Sequence, residues 1–459
     1  MYLAMREIDP SWRRAQDREA ALTRARSLTL CAHSDSDLFP SHSDSGGFSS
    51  LALDAHAEDR FLLAGRGNGQ ILLHDLWKEA PKSVVAKAGR KTPKRQGHKH
   101  VVSHLSWFGA DNGLFVSASA DTKVLVWDTG SFTPVCDFKL SASVYTTALS
   151  PVVGGATSAL VACGTKSPFV RLCDLKSGSH TQLLQGHRSA VLSCAWSPVS
   201  EYVLATGSRD KSVRLWDLRK SGEKACFATL DQHNSRRSQA SDPGANDLIQ
   251  QSSVSAQDFA HDGAVSQLQF VMGGRFLLTS GTDARIKVWK IEGREREDED
   301  THSNTAAHAS YRNTLIHFST ARHGIQLAPG GQMVVSEHSA PPDQLTVYHS
   351  MRSAGNSVGC FDVFSGEYLE HSHEMSNSGH FMRVTGLQFR ETFQELYSCG
   401  LDGLLLRWTA KNSHFPQDQG NSDSDVRDSA SLSDLEQNGE EMLDWTSDID
   451  EDDDADFFL

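Results

Sequence analysis

No apolar run in the 459 residues reaches the length of about 18 that crosses a bilayer as a helix, so membrane spanning is not expected. The first thirty residues break any apolar core with Arg13, Arg14, Arg18, Arg24 and Arg26, which is not the shape of a secretory signal. Cysteine is scarce. There are eight, none arranged as C-x-x-C, and this pattern suits apolar core residues in a reduced compartment better than a disulfide-stapled domain. A basic excess is missing too. The formal charge is -14, but fifteen acidic residues against Arg427 alone lie between Asp423 and Leu459, leaving 43 acids and 43 bases in residues 1–422. No global basic field therefore argues for direct, sequence-specific or sequence-independent nucleic-acid binding.

What the sequence has is a repeat. Taking an Asp as origin, a hydroxyl residue four before it, a Trp six after it and a His 22 or 23 before it recur together four times. The sets are His98, Ser117, Asp121, Trp127; His187, Thr206, Asp210, Trp216; His261, Thr279, Asp283, Trp289; and His380, Ser398, Asp402, Trp408. In the clearest unit the runs Ala190–Ser197, Tyr202–Gly207, Ser212–Asp217 and Ala225–Leu230 are β-rich and separated by turn residues, as in a four-stranded antiparallel blade. Three weaker units put His74, Cys173 and Phe361 at the Trp position, each followed by Asp. The spacing fits the WD-repeat period of roughly 40 to 45 residues, with insertions at 234–257, 293–310 and 337–358. The expected fold is all-β: a seven-bladed WD-repeat β-propeller over 27–411, a short helix over 1–26 and a disordered acidic tail over 412–459. The last unit lacks a fourth strand after Trp408, and Ser27–Cys31 is expected to cover that edge.

Each Ser/Thr–His–Asp set has the composition of a hydrolase triad, yet it occurs four times with a Trp attached. The structural alternative is a chain in which the Asp accepts from the His, the His meets the hydroxyl, and the hydroxyl meets the indole N–H, leaving no buried polar group unpaired. No catalysis is expected. Gly65-Arg66-Gly67-Asn68-Gly69 lacks the Lys-Ser/Thr of a phosphate loop and falls where the other units turn tightly. His98, His100 and His104 lack a completing Cys or carboxylate, so no metal or other cofactor is expected. The basic stretch 87–99 is either a nuclear localisation signal or a solvated connector.

Three features rise above scaffold. Asp9-Pro10 opens a predicted helix over 11–27 whose Trp12, Ala15, Leu22 and Ala25 form a partial apolar face, either folded back on the blades or entering another protein's groove. Trp216-Asp217-Leu218-Arg219 extends one unit's ending by an Arg that is either a solvated charge or a contact residue. In the tail, Trp445, Phe457 and Phe458 sit among carboxylates, as a docking motif for a basic groove would, or as incidental members of a solubilising segment.

Val170–Gly178, Leu184–His187, Trp196–Pro198, Leu204–Arg219, Leu230–Asn234 and Phe393–Ser398 resemble the Cockayne syndrome group A family, over roughly residues 48 to 409. The resemblance implies a substrate-recognition subunit of a cullin-4 ubiquitin ligase acting in transcription-coupled nucleotide excision repair in the nucleus. It implies that Trp12, Leu22 and Arg219 face the damaged-DNA-binding adaptor of that ligase, with stalled-transcription repair factors as substrates. The runner-up is a non-ligase WD-repeat scaffold of a nuclear transcription or chromatin complex.

Overall fold

The computed structural model describes residues 28–31, 47–54, 59–78, 83–89, 97–110, 112–152, 154–232, 259–291, 315–317, 331–337, 345–350, 358–362, 368–369, 380, 382–393 and 395–410. The predicted N-terminal helix, the insertions 234–257 and 293–310, residues 90–96 of the basic stretch and the acidic tail lie outside them.

After β1 (Leu28–Cys31) the chain forms β2 (Phe48–Leu53), β3 (Phe61–Arg66), β4 (Ile71–Asp75) and β5 (Val84–Ala88) of blade 1. Blade 2 has β6 (Val102–Trp107), β7 (Leu114–Ser119), β8 (Lys123–Asp128) and β9 (Thr133–Lys139). Blade 3 has β10 (Val144–Leu149), β11 (Leu160–Thr165), β12 (Val170–Asp174) and β13 (Ser179–Leu184). Blade 4 has β14 (Val191–Trp196), β15 (Val203–Ser208), β16 (Val213–Asp217) and, after a 3₁₀ turn, β17 (Cys226–Leu230). Blade 5 has β18 (Val265–Val271), β19 (Phe276–Gly281), β20 (Ile286–Lys290) and β21 (Leu315–His317). Blade 6 has β22 (Met333–Glu337), β23 (Leu345–Ser350), β24 (Val358–Asp362) and β25 (Tyr368–Leu369).

Six sheets are thus built from four consecutive strands, and a seventh is composite. β26 (Val384–Arg390), β27 (Glu395–Gly400) and β28 (Leu405–Ala410) take β1 as their outer strand, with Leu28 opposite Ala410 and Cys31 opposite Arg407. The innermost strands β2, β6, β10, β14, β18, β22 and β26 pack in sequence, and β26 returns to β2, which closes the ring. Among the described residues there is no α-helix.

The register explains why the landmarks repeat. Leu62 faces His74, Phe115 faces Trp127, Val161 faces Cys173, Leu204 faces Trp216, Leu277 faces Trp289, Val347 faces Phe361 and Leu396 faces Trp408. One expectation is corrected: residues 337–358 are not a single insertion. β23 lies inside that span and pairs with both β22 and β24. Leu345-Thr-Val-Tyr-His-Ser350 is a strand run without the His or Trp markers that expose the other units. Lys87 and Ala88 belong to β5, so the basic stretch begins inside a blade.

Because each sheet is an antiparallel meander, its turns open at two ends. The turns between second and third strands, and the connections to the next blade, share one end; the remaining turns share the other. We call these the connection end and the Trp-Asp end.

Candidate functional site

The four marker sets come together as buried chains of hydrogen bonds. In blade 4, His187 donates from Nδ1 to Asp210 Oδ2 at 3.1 Å, accepts at Nε2 from Thr206 Oγ1 at 2.7 Å, and Trp216 Nε1 donates to the same Oγ1 at 2.7 Å. This tautomer gives every donor an acceptor. The same chain runs through His98, Ser117, Asp121 and Trp127, with His98–Ser117 and Trp127–Ser117 both 2.7 Å. It recurs through His261, Thr279, Asp283 and Trp289, where the indole bond is 3.0 Å, and through His380, Ser398, Asp402 and Trp408, where it is 2.9 Å.

The Asp is fixed from a second side. Asp210 accepts from Arg188 N, Ser212 N and Ser212 Oγ, and Asp121 from Lys99 N and Lys123 N. Burial pushes the Asp121 carboxyl up, but the His98 hydrogen bond and those backbone donors outweigh it and hold it at about 2. Burial pushes His187 and His261 down, against their Asp partners, so both stay neutral at pH 7. All four hydroxyls are fully buried and committed to Trp and His, which leaves none able to meet a substrate carbonyl. Each tetrad pins the second and third strands of its blade to the connection that precedes the first.

Blades 1, 3 and 6 fill the equivalent places differently. Ala64 and His74 stand there in blade 1, Cys163 and Cys173 in blade 3, and His349 takes the hydroxyl position of blade 6. The Cys163 thiol points to Val161 O at 3.9 Å, and Cys173 Sγ lies 3.3 Å from His180 Nδ1. His349 Nδ1 donates to Ser350 O at 2.7 Å, so its Nε2 accepts from Ser280 Oγ at 2.9 Å, tying blade 6 to blade 5.

Three histidines, His74 and His349 buried and His104 half-buried, make a pH-dependent prediction. Burial drives His74, His104 and His349 down to about 4, with Arg66 and Lys87 assisting at His74. The unfolded chain takes up protons near pH 6.5 that the fold refuses, so stability is full above that value and falls as pH drops toward 4. Each contributes a loss of roughly 3 kcal/mol at the lower limit. Melting temperature measured across this window is expected to fall less steeply in His74→Phe; an unchanged slope in that variant would refute its contribution.

The sequence reading missed the ties between blades. Ser49, Ser103 and Thr385, at the start of innermost strands, donate to Val102, Val144 and Phe48 carbonyls of the next blade at 2.6, 2.5 and 2.7 Å. Further along innermost strands Trp107, Trp196, Gln267 and Gln388 donate to Ala52, Ala148, Met333 and Leu51 carbonyls of neighbouring blades. A hydroxyl bonded to a backbone carbonyl 41 to 337 residues away carries no fixed motif, so no sequence signal marks it.

Arg219 lies at the Trp-Asp end of blade 4. Its Nε and Nη2 donate to the two oxygens of Asp217, each at 2.9 Å, and its guanidinium stands 5.3 Å from the Tyr202 ring centre. The side chain is nevertheless 64% exposed, so the carboxylate and ring aim it outward without covering it. The Asp217 hydrogen bond raises the Arg219 pKa and lowers that of its partner.

Blade 1 builds the same corner with cation and ring exchanged. Arg60 stands at the Tyr202 position, binds Asp75 through Nε and Nη2 at 2.9 and 2.7 Å, and lies 4.7 Å from the Trp77 ring, which stands at the Arg219 position. Leu76 N→Arg60 O and Leu218 N→Tyr202 O are equivalent bonds, which fixes the correspondence. Trp77 is 55% exposed.

Trp12 and Leu22, and the tail residues Trp445, Phe457 and Phe458, lie outside the described residues. His98 belongs to a tetrad and His104 to a half-buried contact with Thr147. Among the described residues no cluster of His, Cys, Asp or Glu is placed to hold a metal ion. Gly69 makes the tight turn at a φ of 83°, with Gly69 N bonded to Arg66 O, in place of a phosphate cradle.

A closed ring of four-stranded blades pinned by recurrent His–Ser/Thr–Trp chains defines a WD-repeat β-propeller, and the chain belongs to the WD-repeat family. The WD domain, G-beta repeat family matches residues 89–128, 178–217 and 253–290. WD repeat-containing protein ATCSA-1 of Arabidopsis thaliana is 30% identical over 466 aligned positions, covering 87% of this chain and 95% of that protein. Radiation-sensitive protein 28 of Saccharomyces cerevisiae is 29% identical over 199, covering 42% of this chain and 38% of that one. The Cps50 (Swd1) β-propeller domain of Myceliophteria thermophila superposes with a TM-score of 0.58 at 14% identity, over 83% of this chain and 99% of that domain, and shows the fold alone.

Proposed function

We propose that this chain is the substrate-recognition subunit of a cullin-4 ubiquitin ligase, acting in transcription-coupled nucleotide excision repair in the nucleus. The observation that carries the reading is the Arg219 corner: an exposed guanidinium held in a fixed direction by Asp217 and Tyr202, in a Trp-Asp-Leu-Arg ending. An Arg so restrained loses little entropy on meeting a partner, which is the property of an interface hot spot. The position of Leu28 adds support. It pairs with Ala410 at the Trp-Asp end of blade 7, so residues 1–27 join the ring at the end where Arg219 stands. Trp12, Leu22 and Arg219 then serve one partner, the damaged-DNA-binding adaptor. Similarity along nearly the whole of ATCSA-1, and to a protein named for radiation sensitivity, agrees with a DNA-damage role. The propeller holds a repair factor on its remaining surface while other subunits transfer ubiquitin.

Purified full-length protein tested against the adaptor decides. Arg219→Glu is expected to weaken binding about tenfold or more, and deletion of residues 1–26 to abolish it, with melting temperature unchanged in both. Binding that survives both lesions ends this reading and favours a scaffold without ligase.

A further inference from the structure

The two ends of blades 2 to 4 differ in charge. At the connection end Lys99, Lys166, Arg188, Arg209 and Lys211 are all exposed. The acids of the same turns are Asp121 and Asp210, whose side chains are 4% and 10% exposed and are enclosed by the tetrad bonds. At the Trp-Asp end of these blades Asp128, Asp174, Glu201 and Asp217 stand against Lys176, Arg219, Lys220 and Lys224, so the two signs are mixed there. In blades 2 and 4 the tetrad draws the carboxylates of the connection end inward, and blade 3, which has no tetrad, carries no acid in its turn from Lys166 to Phe169.

These cations form one surface. Lys166 N bonds Ser143 O, and Ser143 Oγ bonds Ala120 O, joining the turns of blades 2 and 3. Arg209 N bonds Ala190 O, and Arg209 is close enough to Tyr145 of blade 3 to act on its phenol, joining blades 3 and 4. Phe169, in the turn that begins with Lys166, is 38% exposed and gives the surface an apolar element. The acidic Asp262, paired with Arg285, bounds it at blade 5.

We propose that the connection end of blades 2 to 4 binds an acidic segment of a partner protein, its carboxylates on Lys166, Arg188 and Arg209 and an aromatic side chain against Phe169. Charge complementarity identifies the occupant. A peptide is favoured over nucleic acid because the basic surface spans only three blades and residues 1–422 hold 43 acids against 43 bases, so what lies outside that surface is net acidic and offers no continuous path for a phosphate backbone. The proposal deepens the functional reading, on which it rests for the partner's role as substrate, by naming the substrate's chemistry.

Fluorescence anisotropy tests it with full-length protein and a short synthetic peptide of Asp and Glu residues around one Trp. Lys166→Glu with Arg209→Glu is expected to weaken binding about tenfold or more, Phe169→Ala about threefold, and rising salt should weaken the wild type progressively. Lys176→Glu at the opposite end serves as the control, and melting temperature verifies folding. Equal loss in the control, or no loss in the double variant, overturns the proposal; so does tighter binding of a single-stranded DNA oligomer than of the peptide. Adaptor binding measured on the same variants separates the two claims. Peptide binding without adaptor binding ends the ligase reading alone, and adaptor binding without peptide binding ends this one.

Discussion

Truncation to residue 32 is expected to lower the melting temperature by about 5 °C, whereas truncation to residue 27 leaves it unchanged. The difference between the two contains the four-residue strand β1. It supplies the outer ladder of blade 7, from Leu28–Ala410 to Cys31–Arg407. Ladder bonds contribute about 1 kcal/mol each, so their loss amounts to roughly 4 kcal/mol, or about 5 °C for a fold of this size. The exposed edge of β28 also becomes a template for pairing with another molecule, so the shorter chain should aggregate or dimerise where the longer one does not. Scanning calorimetry and light scattering on the two truncations check this. Equal melting temperatures would mean that β1 does not close the ring.

Thr206→Val is expected to destabilise the protein more than His187→Ala or Asp210→Ala, although the side chain volume barely changes. Thr206 Oγ1 is the partner of both His187 Nε2 and Trp216 Nε1. Its removal leaves two buried groups unpaired, at roughly 3 kcal/mol or more, against about 1 to 3 kcal/mol for either single loss further out along the chain. A His187→Ala, Asp210→Ala double variant should cost less than the sum of its parts, because the two residues share one hydrogen-bond chain. Thermal denaturation of the four proteins provides the comparison. Additive losses, or a neutral Thr206→Val, would show that the tetrad is not a connected network.

The blades were legible where one spacing constrained four residue types together. His, hydroxyl, Asp and Trp must meet through a fixed register, so blades 2, 4, 5 and 7 announce themselves at constant intervals. Blades 1 and 3 were visible only through His74-Asp75 and Cys173-Asp174, since Ala64 and Cys163 replace the hydroxyl and dissolve the rest of the pattern. β23 was lost for the same reason: His349 stands where the hydroxyl belongs and turns toward Ser280 of blade 5 instead of a Trp. Arg219 was visible as a tripeptide extension, but its restraint by Tyr202, seventeen residues earlier, was not. The matching corner at Trp77 was hidden altogether, because Arg60 and Trp77 exchange the parts played by Arg219 and Tyr202. A pattern search compares like with like, whereas a cation over a ring is satisfied in either order.

The pairing of β1 with β28 also sets a timetable for biosynthesis. Leu28 leaves the ribosome 377 positions ahead of Leu405, the first residue of the strand it pairs with. At about 5 to 20 residues per second that interval is roughly 20 to 75 seconds, during which blades 1 to 6 can form in turn while β1 has no partner to pair with. The ring closes only when the final strand arrives. A message ending before codon 405 therefore yields a protein whose every earlier blade is encoded and whose two chain ends have nothing to join.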